Sequence, residues 1–171
     1  MERAAKGLLG AASGGVIGIL VSGLLATGAW GMVGCMVGLA TVVGLLNLRL
    51  KPDPKPASPG ASLAGVLGGT GLLLSLVVLL GQSVYVQVAW RGGEKPKLPL
   101  AIWPLSEAAL WVAVLLSSAA MISGFLGWYQ ARKAPGDYSG GRLAQVAILA
   151  GAATLAVAML CYLTGYGFPM V

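Results

Sequence analysis

The chain reads as an all-α, polytopic integral membrane protein: a five-transmembrane-helix bundle, N-terminus inside and C-terminus outside. Three observations predict this. Only 9% of the 171 residues are charged and 57% are hydrophobic, with a mean hydropathy of +0.86. A soluble domain carries about 25% charged residues, so too few are present here to solvate a surface. Five apolar runs recur, at 7–27, 30–49, 62–88, 102–129 and 143–167, each with about the 20 residues needed to cross a hydrocarbon core of ~30 Å. The basic residues are distributed unevenly between the connecting segments. On one side lie Arg3, Lys6, Arg49, Lys51, Lys55, Arg132, Lys133 and Arg142, and on the other only Arg91, Lys95 and Lys97. Basic residues favour the cytoplasmic side, which orients the chain.

The whole chain, 1–171, reads as a single membrane domain in three parts. A glycine-rich helical hairpin occupies 7–50, a proline-rich linker 51–60 and a three-helix unit 61–171. Arg3 and Lys6 followed by an apolar run have the outline of a signal peptide, but the run exceeds a typical h-region. It is expected to remain as the first span. Along it, Gly10, Gly14, Gly18, Ser22 and Ala26 recur every four residues, which places small side chains in one stripe. In the second run Gly31, Gly34, Gly38 and Thr41 also share a face. Two such faces let helix backbones approach closely, held by dispersion and Cα–H···O contacts. The expected partner of Gly14 and Gly18 is the 30–49 span.

The linker KPDPKPASPG has four prolines between Pro52 and Pro59, which forbid a helix and favour an extended spacer. Ser58 within it is expected to be open to labelling reagents. The loops RGGEKPKLP (91–99) and ARKAPGDYSGGR (131–142) are polar and too short to be domains. Trp30, Tyr85, Trp90, Trp103, Tyr162, Tyr166 and Phe168 fall near the outer boundary, and Trp128, Tyr129 and Tyr138 near the inner one. Both interfaces favour these aromatic residues.

The residue inventory argues against most chemistry. There is no histidine, hence no usual general base, pH switch or commonest metal ligand. Of the acidic residues, Glu2, Asp53, Glu94 and Asp137 lie in flanks or loops, and none sits at a membrane midplane, where ion-coupled carriers and pumps place one. No lysine lies within a span to pair with a serine nucleophile, and no phosphate-binding or nucleic-acid motif is present. No metal site, catalytic residue or cofactor is therefore expected. Cys35 and Cys161 lie inside apolar runs and read as small buried residues. The deep hydroxyls Thr41, Thr70, Ser75, Ser117, Ser118 and Thr154 are expected to bond within their own helices or across packed pairs.

The segment TGAWGMVGCMVGLATVVGLLNLR (27–49) resembles the second half of the glycine-rich hairpin in ATP synthase protein I, a small assembly factor for the rotor ring. The resemblance lies in Trp30, Gly34, Gly38 and Asn47-Leu48-Arg49. The spacing departs between Gly38 and Gly44, the acidic residue between the two helices is missing, and no function is transferred.

Glu107 is the acidic residue within an apolar segment, about three residues after Pro104, as suits a helix first turn. Gln82, Gln87 and Tyr162 are expected at the same outer level. Two readings follow: an interfacial anchor, or a polar site for a partner's basic residue, a lipid head group or a pigment. The expected function is that of a non-catalytic accessory subunit in a larger membrane complex, packing through Gly10, Gly14, Gly18, Ser22, Gly31, Gly34 and Gly38, with lipid or pigment left open as something it holds. The alternative is a small oligomeric channel or carrier for neutral or weakly charged solutes. Expected partners are the lipid bilayer and other integral membrane subunits, with no nucleic acid, in a bacterial cytoplasmic membrane.

Overall fold

The computed structural model describes residues 1–25, 28–49, 55–91, 103–134, 137–138 and 141–163; side chains at 29, 30, 49, 83, 85–91, 103–106 and 160–163 fall outside that description. The chain is all-helical: α1 (Glu2–Leu24), α2 (Gly28–Arg49), α3 (Pro59–Arg91), α4 (Trp103–Lys133) and α5 (Gly141–Leu163). All five are long and apolar enough to cross a membrane, as in a multi-pass membrane protein.

Four helices start earlier than their apolar runs, α1 and α3 by the most. α1 begins at Glu2, not residue 7. A carboxylate in the first turn faces the positive end of the helix dipole, and Glu2 Oε1 lies 2.8 Å from Lys6 Nζ one turn on. The ion pair extends the helix by a polar turn that hydropathy does not register. α3 begins at Pro59, inside the segment assigned to the linker. Proline at the first helical position gives up an N–H that would be unpaired anyway. Ser58 caps the helix: Ala61 N–H donates to Ser58 Oγ at 3.3 Å. Ser58 is fully buried, not open to labelling, because its hydroxyl donates to Gly127 O at 3.1 Å. The end of the linker is also held, by Ala57 N–H donating to Glu2 Oε2 at 3.1 Å. Between α1 and α2 the chain turns with Gly28 at φ 72, a backbone conformation that glycine adopts without a Cβ penalty.

Neighbouring glycines give the helix directions. Gly65 faces Ala5 and Gly69 faces Leu8, so α1 and α3 run parallel. Gly68 faces Ala147 and Ala150, while Gly60 and Gly71 face Gly127 and Ser117. α4 therefore runs against α3, and because Gly124 faces Ala144 and Ile148 while Gly151 faces Ser117 and Met121, α5 runs against α4 and with α3. α3 is central and touches all four other helices, whereas α2 meets α1 and, slightly, α3. The hairpin and the three-helix unit share one core in which Leu72, Leu76 and Leu80 of α3 pack with Leu9, Ala12, Met36, Ala147 and Ala150. Cys35 is a free, half-buried thiol. Its helix does not touch α5 among the described residues; the side chain of Cys161 is outside them.

The helix directions gather the start of α1, α3 and α5 and the end of α2 and α4 at one end. Single cysteines at the exposed positions Lys55 and Asp137 are therefore expected to label from the same side of the membrane, and one at Gly93 from the opposite side. Labelling of all three from one side of intact cells would overturn the five-span arrangement.

Candidate functional site

The two small-residue faces of the hairpin have different neighbours. On α1, a Cβ at Gly14 would run into Leu39 O, and one at Gly18 would lie 2.5 Å from Cys35 O and 2.6 Å from Met36 Cα. Gly10 meets the side chain of Asn47, where a Cβ would lie 2.5 Å from Nδ2. Ser22 is buried, and its hydroxyl donates to Ile19 O at 2.7 Å. The α1 stripe thus rests on the backbone of α2 at Gly14 and Gly18.

On α2 the expected face is turned the other way. Gly34 and Gly38 are exposed, and a Cβ at either would meet nothing within 4 Å. Gly31 is half-exposed and Thr41 exposed. The side of α2 that meets α1 instead presents Cys35, Met36, Leu39, Ala40, Gly44 and Asn47. The physical reason is steric. The grooves at Gly14 and Gly18 are already deep enough to take α2's backbone, so the opposing face need not be glycine.

A second set of close contacts lies in the three-helix unit, at positions the hairpin-centred reading passes over. A Cβ at Gly127 would run into Ala61 N, and one at Gly60 would lie 2.9 Å from Gly127 N. Gly71 meets Ser117 Oγ, and Gly151 meets Ser117 O and Met121. The signal was present in Gly60, Ala64 and Gly68, spaced by four like the α1 stripe.

The deep hydroxyls are mostly satisfied within their own helices. Thr41 donates to Val37 O, Ser75 to Leu72 O, Ser118 to Val114 O and Thr154 to Ala150 O, at 2.8–2.9 Å. Asn47 does the same, donating to Val43 O at 2.9 Å. Two differ: Thr70 is exposed, and Ser117 Oγ is buried without a hydrogen-bond partner among the described residues.

The polar site at the other end is built on α3 and α4. Val78 and Leu110 share a small core cluster with Leu79, Ala109, Val157 and Ala158. One turn further along α3 is Gln82, and one turn further along antiparallel α4 is Glu107, so the two stand at a common level. Gln82 is 3% exposed, and both polar atoms of its carboxamide lack a hydrogen-bond partner among the described residues. Glu107 is half-buried. The side chains of Gln87 and Tyr162 lie outside the described residues. Among the described residues no group of three or more His, Cys, Asp or Glu is placed to hold a metal ion. The chain matches no family model, no curated protein and no solved structure.

Two variant pairs check this geometry. Gly14→Leu and Gly18→Leu force α2 away from α1 and are expected to cost roughly 1–3 kcal/mol each, by analogy with overpacked cores. Unchanged thermal unfolding in both would refute the close contact. At the polar site, Gln82→Leu is expected to preserve or raise stability, because it removes an unpaired buried group whose desolvation costs about 1–3 kcal/mol. A lower melting temperature for Gln82→Leu, with Glu107→Gln unaffected, would show that the carboxamide holds the fold.

Proposed function

We propose that the chain is an N-in, C-out multi-pass protein of a bacterial cytoplasmic membrane. In this reading it is a non-catalytic accessory subunit that packs against larger integral membrane subunits and helps assemble them. The outward glycine face of α2 carries the proposal. Lipid tails are as apolar as leucine, so helices in a bilayer associate through close packing at small residues. Glycine in a helix interior costs about 1 kcal/mol relative to alanine. At Gly14 and Gly18 that cost is offset by contact with α2. At Gly34 and Gly38 nothing among the described residues offsets it, and a helix of another subunit seated there would.

The position of α2 suits this role. Only 11% of its apolar stretch is buried within the chain, against 56% for α3. Thr41 beside the glycines is exposed, with its hydroxyl bonded to its own helix, so it presents a small apolar flank. The orientation rests on charge: Arg3, Lys6, Lys55, Arg132, Lys133 and Arg142 gather at the end holding the N-terminus, which basic residues place on the cytoplasmic side.

Gentle detergent extraction from the native membrane tests the role. A stoichiometric larger membrane protein is expected to co-purify. Gly34→Leu and Gly38→Leu are expected to release it, while the melting temperature of the isolated chain holds or rises. Recovery of a symmetric homo-oligomer alone would replace this reading with the channel or carrier.

A further inference from the structure

We infer that the corner where α4 passes into α5 is a binding site for the phosphodiester head group of an anionic phospholipid. The inference rests on the membrane reading above, and three observations point to it.

The first is unbalanced charge. α4 ends in Arg132 and Lys133, and Arg142 follows across a short loop at the second position of α5. All three are exposed, and none forms an ion pair among the described residues. The acidic residue of this corner is Asp137, itself exposed.

The second is the helix dipole. Arg132 and Lys133 complement the negative end of α4, which accounts for them without a ligand. The dipole does not account for Arg142. It sits at the positive end of α5, and no acidic residue occupies that first turn. An external anion at this point pairs with the guanidinium and faces the positive end of the helix.

The third is depth. Arg132 stacks on Trp128, its guanidinium carbon 4.2 Å from the ring centroid. Tyr129 is 61% exposed and Tyr138 37%. Tryptophan and tyrosine favour the head-group level of a bilayer, so this belt places the three cations among phosphates and not in bulk water. The contact of Gly124 with Ala144 O and Ile148 sets the register of the two helices. One turn further toward the basic end, Trp128 is level with Arg142. The stack leaves the guanidinium edge free, and that edge matches a phosphodiester through two parallel N–H···O bonds.

Native mass spectrometry of the detergent-extracted protein, equilibrated with equal amounts of phosphatidylglycerol and phosphatidylcholine, tests the site. Several-fold preferential retention of phosphatidylglycerol is expected, weakening as ionic strength rises. The triple variant R132Q/K133Q/R142Q should retain the two lipids nearly equally. R132K/R142K keeps the charge but not the forked geometry and should lie between. Equal retention by the native protein would overturn the site, as would a preference that survives the triple variant. Displacement of the lipid by excess inorganic phosphate would reassign the site to a free anion and sink the lipid proposal. A chain recovered in the soluble fraction without detergent would instead fail the membrane reading itself.

Discussion

The contact between the glycines of one helix and the bare backbone of another governs this fold. In water, burying leucine would hold such helices together. In a bilayer that driving force is absent, and association depends on dispersion over short distances. Gly14 and Gly18 admit the carbonyls of Leu39 and Cys35, and Gly127 admits the first turn of α3. Removing the Cβ atom at these places brings whole stretches of neighbouring side chain into contact as well. The core residues in the middle of the bundle are accordingly small or flexible, with alanines fully buried at 12, 64, 113, 120 and 147.

The same constraint explains why α3 is the hub. It carries small residues on several sides: Gly65 and Gly69 toward α1, Gly68 toward α5, and Gly60 and Gly71 toward α4. A helix of this kind has little intrinsic stability from propensity, so its ends need support. Pro59 presets the first turn, Ser58 caps it, and the same hydroxyl reaches Gly127 O at the end of α4. One side chain thus terminates a loop, starts a helix and joins two helices.

Much of the architecture was legible because hydropathy and span length are long, redundant signals. Five helices appear where five apolar runs lie. The ends were less legible, since a polar turn such as Glu2–Lys6 or a proline helix start carries no hydropathy. The neighbour of the α2 face was not legible. Spacing shows that Gly31, Gly34, Gly38 and Thr41 share a side, but it contains no information about what that side meets. For α1 the stripe met its own hairpin partner; for α2 it faces away from the chain. The level of Gln82 and Glu107 followed from span counting. The burial of the Gln82 carboxamide without a partner did not, because burial depends on how α3 and α4 are rotated about their axes.

The hydrogen bond from Ala57 to Glu2 has a consequence in time as well as in space. A ribosome delivers Glu2 first, and the amide of Ala57 appears only after both helices of the hairpin have been made. The carboxylate meets Lys6 at once, being one turn away in the same helix, and accepts from the Ala57 N–H more than fifty residues later. The next residue is Ser58, which starts α3. The order of synthesis therefore completes the clasp on the first two helices just as the third begins.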